Sequence, residues 1–188
     1  NEQEFIKISQ LKDLSDSLDN VRKWILIGLM VGQRVSDLLS LKKHQIRFVE
    51  SGLVMIDFKQ AKGGTVVTVP VKNQIVVSIL EHRFPYRISD QNFNKYLKEV
   101  CKRAGLTDVI TGYKFNSSTK RKELVKKPKH ELLASHDLRR SFATYHYDSG
   151  KPVGVIMKIT GHKRESTFYD YIGKNPNKDF DAYNFLNS

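Results

Sequence analysis

Between Ser135 and Ile172 the chain reads SHDLRRSFATYHYDSGKPVGVIMKITGHKRESTFYDYI, and four side chains in that stretch are of types that act on phosphate esters. His136 and Arg139 stand three residues apart at the opening of a helical pattern, so both project from one face. Gly161-His162 closes the next apolar segment, and Tyr171 follows His162 by nine residues. His136, Arg139, His162 and Tyr171 thus span 36 residues. A guanidinium grips a singly charged phosphodiester through two hydrogen bonds. A phenolic oxygen attacks phosphorus and stores the bond energy as a covalent ester. The chemistry that suits this pattern is transfer at a phosphodiester.

HDLRR, then GH, then a tyrosine nine residues after that histidine resembles the C-terminal signature of the tyrosine recombinases, the integrases of phages and mobile genetic elements. That family also has an arginine far upstream on a helix and a lysine in a β-hairpin between the two. Arg34 in GQRVSDLLSL and Lys62 in FKQAKGGTVVTVPV stand in those places. The four blocks run in the right order and cover nearly the whole chain.

The resemblance implies a catalytic set of Arg34, Lys62, His136, Arg139, His162 and Tyr171. Tyr171 would attack a DNA phosphorus in line, giving a 3′-phosphotyrosyl link and a free 5′-hydroxyl. Attack by another 5′-hydroxyl would rejoin the strands, with neither ATP, cofactor nor metal. Arg34 and Arg139 would neutralise charge on the non-bridging oxygens. His136 would accept the phenolic proton or bond the phosphate. Lys62 would protonate the departing 5′-oxygen, and His162 would donate a hydrogen bond to the phosphate or the nucleophile. Asp37, three residues after Arg34, would orient a nearby cation or helix end.

Each role has a competitor. Tyr169, Tyr145 and Tyr147 are other phenols near the motif, but Tyr169 points nearly opposite Tyr171 on a helix and Tyr145 falls in an apolar stripe. Lys59 rivals Lys62; AKGG before TVVTVP, which matches the family hairpin, favours Lys62. Arg140, read as pointing away from His136, is assigned to backbone phosphates or solvent. Lys59, Lys120, Arg121, Lys122, Lys126, Lys127, Arg140 and Lys163 are the candidate DNA contacts. Six of the residues from Lys120 to Lys129 other than Glu123 are Lys or Arg in a segment where a hairpin is expected.

Composition agrees with a polyanionic partner. Of 188 residues, 32 are Lys or Arg and 20 are Asp or Glu, a formal charge of +12. Each phosphate neutralised by such a surface releases a condensed counterion. No apolar run of 18 residues and no long basic amphipathic helix is present, which argues against a membrane partner. The single cysteine, Cys101, excludes an internal disulfide and fits a reducing compartment. His136, His146 and His162 form no close ligand pair and no acidic cluster accompanies them, so no metal site is expected.

The elements that must hold these groups follow from periodicity. Helices are expected over Ile8–Leu18 and Asp19–Val31, the second capped by Asp19 or Asn20. A short helix restarts after Gly32 with Arg34 and Asp37 facing away from Leu38, Leu39 and Leu41. Strands Leu53–Phe58 and Thr65–Pro70 flank a turn at Gly63-Gly64, which puts Lys62 at a hairpin tip. Helices return over Asn73–His82 and Ser89–Arg103, with Gly105 as the stop. Val109–Phe115 and Arg121–Val125 form a second hairpin. Ser135 caps the motif helix, whose stripe is Leu138, Phe142 and Tyr145. Pro152 opens a helix burying Val155, Ile156 and Ile159, and Glu165 or Ser166 opens the one carrying Phe168, Tyr171 and Ile172.

The expected whole is mainly α with a small antiparallel β-sheet, the tyrosine recombinase catalytic-domain fold of the DNA breaking-rejoining type. It is one domain, 1–188, with a tail from about 174 to 188 and without the family's N-terminal core-binding domain. Its partner would be double-stranded DNA in bacterial cytoplasm. There it would act as a tetramer, with tail exchange through Phe180, Tyr183 and Phe185. A type IB topoisomerase-like enzyme and a non-catalytic DNA-binding module of the same fold are the alternatives.

Overall fold

The computed structural model describes residues 1–49, 52–61 and 64–174. Its helices are α1 (Glu2–Ser9), α2 (Asp16–Val31), α3 (Val35–Leu39), α4 (Gln74–His82), α5 (Asp90–Arg103), α6 (Lys129–Leu132), α7 (Ser135–Asp148), α8 (Val153–Thr160) and α9 (Glu165–Ile172). Strands β1 (Ile46–Val49), β2 (Leu53–Lys59) and β3 (Val66–Val71) form one antiparallel sheet in that order. Strands β4 (Val109–Asn116) and β5 (Arg121–Pro128) form a separate hairpin.

Helix α2 is the spine. Val21, Trp24, Ile25, Leu26, Ile27 and Val31 are fully buried, so the helix is apolar nearly all round, as an interior helix must be. It packs against α5, α7, α1, α4 and β3. At Gly28 an added Cβ would come within 2.9 Å of both Leu138 and Leu38, so glycine permits the approach of α7 and α3. Gly32 ends the helix at φ 62°, and the Phe142 ring lies 2.3 Å from where its Cβ would stand. Only glycine satisfies both the backbone and the ring there.

The sheet is held by phase. Val54, Ile56 and Phe58 pair with Val71, Val69 and Val67, and all six face the core. A slip of one residue would turn all of them to solvent, so the register is strongly specified. Pro70 is tolerated because β3 is an edge strand.

Several expectations are corrected. The first helix is Glu2–Ser9 rather than Ile8–Leu18, because Asp13 takes φ 55° and breaks the apolar pattern. Ser15 stands at the start of α2; Asp19, expected as a cap, instead pairs with Arg22 and Lys23. Strand β1 joins the two expected strands as a third. Ala134, not Ser135, precedes α7, and its N–H donates to the Asp137 carboxylate at 2.8 Å. Tyr145 is 62% exposed and Val155 54% exposed, because the helical stripe continues past the surface it packs on. The expected positions of Lys62, Gly63 and the tail aromatics Phe180, Tyr183 and Phe185 lie outside the described residues. Gly64, at φ 65°, bears out half of the expected glycine turn.

Candidate active site

Arg139 enters from the first turns of α7 and is buried. Its Nη1 donates to Gly32 O at 3.2 Å, so the left-handed end of α2 offers a carbonyl to the cation, where the helix dipole is negative. Arg34 is two residues further along. It occupies the position before α3 with extended backbone, rather than lying on the helix as expected. Burial and then the Arg34 charge lower the Arg139 pKa, with Tyr171 and Asp37 opposing. Two guanidiniums therefore share one pocket.

Asp37 does not face away with Arg34; it is buried. Its Oδ1 accepts the Ala61 N–H at 2.9 Å, which fixes the chain immediately before Lys62. Its Oδ2 stands 3.9 Å from Arg34 Nη1, too far for a hydrogen bond. Among the described residues, Arg34 Nη1 and Asp37 Oδ2 are the buried side-chain polar atoms without a hydrogen-bond partner. A buried N–H left unmade costs about 1–3 kcal/mol, more when charged, so the pocket favours an acceptor brought from outside.

Tyr171, on α9, meets this pocket. Its hydroxyl donates to His136 O at 3.3 Å, and its ring lies between two imidazoles: His136 edge-on at 4.9 Å between centroids, His162 tilted at 4.8 Å. Burial raises the phenol's pKa, while Arg139 and Arg140 pull it down. Tyr169 faces the other side, packed on Tyr147 at 5.9 Å, and Tyr145 is exposed. Geometry thus separates the competing phenols.

His162 is fixed by Thr160. The Thr160 hydroxyl donates to Ile156 O at 2.7 Å, which uses its hydrogen, and its oxygen lies 2.8 Å from His162 Nδ1. We assign the proton to Nδ1, which leaves a lone pair on Nε2. Burial, then Arg139, Arg34 and His136, push the His162 pKa down to about 4, so the ring is neutral at pH 7. A donor role for Nε2, as expected from the sequence, needs an added proton. An arriving phosphate would favour that proton by its charge. His136 is lowered too, by burial first and then by Arg140, Arg139 and Lys122, against Asp137.

Two residues escaped the sequence reading altogether. Gln60 Nε2 donates to Gln33 Oε1 at 3.0 Å and to Ile159 O at 3.0 Å, and Gln33 Nε2 donates to Ile159 O at 2.9 Å and Val31 O at 3.1 Å. Both amides are buried. They tie together the segment before Arg34, the strand end before Lys62 and the end of α8 before His162. The signal was present: Gln60 is in phase with Val54, Ile56 and Phe58, so alternation predicts it inside.

Arg140 makes a contact that the sequence did not suggest. Its Nε donates to Tyr171 O at 2.6 Å and its guanidinium lies 5.8 Å from the Tyr171 ring. It stands four residues after His136, one turn up on the same side, and so holds α9 while remaining exposed. Lys127 is tied to Glu131 at 3.3 Å, whereas Lys59, Lys120, Arg121, Lys122, Lys126 and Lys163 are exposed. No group of His, Cys, Asp and Glu suited to a metal ion occurs among the described residues, and no helix among them is long and apolar enough to cross a membrane.

The sequence profile of the phage integrase family matches residues 4–178. Tyrosine recombinase XerC of Staphylococcus aureus is 27% identical over 161 residues, covering 83% of this chain and 50% of the relative. The chain therefore spans about half the length of the curated relatives it matches. Among solved structures, the XerH site-specific recombinase bound to palindromic difH substrate in a post-cleavage complex superposes with a TM-score of 0.69 at 20% identity. That match covers 100% of this chain and 51% of XerH. A lambda integrase dimer bound to a COC′ core site gives 0.61 at 17% identity, covering 90% and 56%. These structural likenesses concern the fold.

Proposed function

The chain belongs to the phage integrase family, and from that premise we propose that it is the catalytic domain of a tyrosine-type site-specific DNA recombinase. The observation that carries the proposal is the pocket itself. Buried Arg139 and the partnerless Arg34 Nη1 share it, with the Tyr171 phenol at its edge. Arg34 and Arg139 share one carboxylate neighbour, Asp37, which stands 3.9 Å from Arg34 Nη1 without a hydrogen bond. The positive charge left over suits a phosphodiester, whose non-bridging oxygens gain charge as the nucleophile adds.

In this reading the Tyr171 oxygen leaves the His136 carbonyl and attacks phosphorus in line. The phosphorus–O5′ bond breaks and a 3′-phosphotyrosyl ester forms. The phenolic proton passes to the neutral His136 imidazole, and Lys62 supplies the proton taken up by the 5′-oxygen. Asp37 and Ala61 support Lys62 by anchoring its hairpin from the strand side. Reversal with a different 5′-hydroxyl rejoins the strands, so each bond broken is matched by one formed. The DNA partner, a tetramer on two sites and exchange of the tail belong to the same reading. XerH and lambda integrase, in DNA complexes, share the fold.

A nicked suicide substrate tests the chemistry. The protein should give an SDS-resistant DNA adduct that is absent in Tyr171→Phe. Arg34→Ala and Arg139→Ala should slow its formation by roughly two to three decades, as loss of one oxyanion donor does. An adduct that persists in Tyr171→Phe would falsify the assignment of the nucleophile.

A further inference from the structure

The β4–β5 hairpin is packed on one face only. On the inner face an added Cβ at Gly112 would come within 3.0 Å of Leu132, and Lys114 and Lys127 share Glu131 at 3.7 and 3.3 Å. Helix α6 thus covers that side. The outer face is built from the cross-strand pairs Thr111↔Lys126, Tyr113↔Leu124 and Phe115↔Lys122. Tyr113, Phe115 and Leu124 are 70%, 62% and 61% exposed, and they adjoin one another between the two lysines. Three large apolar side chains left in water on a formed ribbon mark a contact surface rather than scattered surface residues.

Charge decides between occupants. A second copy of this chain would bring another formal charge of +12 to a face that already carries Lys122 and Lys126. Like charges across an interface oppose association, whereas a polyanion complements them. Position agrees. Strand β5 leads through α6 directly into α7, the helix that carries His136 and Arg139, so the hairpin adjoins the element that lines the pocket. After burial, Arg140 and Arg139, Lys122 is also among the charges that lower the His136 pKa.

We propose that the outer face of the β4–β5 hairpin lies in the major groove of the DNA duplex beside the reacting phosphate. Lys122 and Lys126 contact phosphates there, and Tyr113, Phe115 and Leu124 pack on thymine methyls. A two-stranded ribbon fits that groove, and thymine presents its C5-methyl there. The proposal rests on the phosphodiester reading of the pocket. It divides the hairpin's cations by face, with Lys127 held by α6 and Lys122 and Lys126 turned to the duplex.

Anisotropy titrations of a linear duplex over a salt series separate the two kinds of contact. The variant Tyr113→Ser/Phe115→Ser/Leu124→Ser should lose about tenfold in affinity at every salt concentration with the logarithmic salt slope unchanged, as loss of about 1.4 kcal/mol of apolar contact requires. Lys122→Ala/Lys126→Ala should flatten that slope by about 1.8, roughly 0.9 per phosphate contact. Replacing every thymine by uracil should weaken the unmodified protein and leave the triple variant unaffected. Equal binding of the triple variant and the unmodified protein overturns the proposal. If the triple variant also sediments as a smaller species, the face belongs to a second copy. Adduct formation keeps the two readings apart: no adduct with ridge-dependent binding sinks the recombinase chemistry alone, and an adduct with ridge-independent binding sinks the groove contact alone.

Discussion

The pocket is assembled by two cores of very different size. Arg34, Asp37 and the base of the Lys62 hairpin hang on the large core around α2, which includes Trp24, Ile25, Ile27, Phe58, Phe93 and Leu97. Tyr171 and His162 hang on a small one, where Ala143, Ile156, Phe168 and Ile172 are the buried members. A segment with few buried apolar contacts opens locally at lower free energy than one embedded in the main core. The contrast assigns different tasks. In the proposed reaction the charges that need preorganisation would sit on the rigid part, and the phenol that would move, attack and be esterified would sit on the adjustable part.

Paired cavity mutants should separate the two. Phe168→Ala removes the largest side chain of the small core and should cost about 3–5 kcal/mol locally. Adduct formation should collapse while the main thermal transition changes little, and amide exchange should quicken in α8 and α9 only. Phe93→Ala, of similar cost, should lower the main transition instead. If both variants lower a single common transition, the two cores are one cooperative unit and the contrast fails.

A smaller effect tests the joint between them. Gln60→Ala leaves Gln33 Oε1 buried without its donor, a cost of roughly 1–3 kcal/mol. Because the amides bind α8 to the segments before Arg34 and Lys62, the rate of cleavage should fall by more than DNA affinity does. Equal losses in rate and affinity would reduce the pair to a packing role.

The mildest perturbation is pH. His162, held down to about 4 by burial and then by Arg139 and Arg34, has a folded pKa below its ordinary value of 6.5. The unfolded chain therefore binds more protons between those values. The stability linked to this ring is complete above about pH 6.5 and declines as pH falls toward 4. Followed by NMR, the ring should titrate near 4 in the free protein and higher once duplex DNA is bound. A free-protein titration at 6.5 would mean that the ring is neither buried nor held beside the two arginines.

Much of this was legible beforehand, and the failures have physical causes. His136 and Arg139 were readable as a pair because three residues on a helix share a face, and GH and Tyr171 because their order resembles the tyrosine recombinase signature. Both hairpins were readable from alternation and turn residues. Gln33 and Gln60 carry no motif; only the phase of β2 pointed inward at Gln60. The Arg140 contact with α9 was missed by comparing Arg140 with its neighbour Arg139 rather than with His136, one turn below. Tyr145 and Val155 were misjudged because periodicity reports a stripe but not how far the opposing surface extends. Cys101 is buried, and burial pushes its thiol up to about 12.

The Arg140 contact reaches the peptide carbonyl of residue 171 and is indifferent to the side chain borne there. A chain with phenylalanine at that place should therefore keep α9 docked and leave Arg34 and Arg139 where they stand. On the proposed reading such a variant would hold a duplex as firmly as the unmodified protein and never become joined to it.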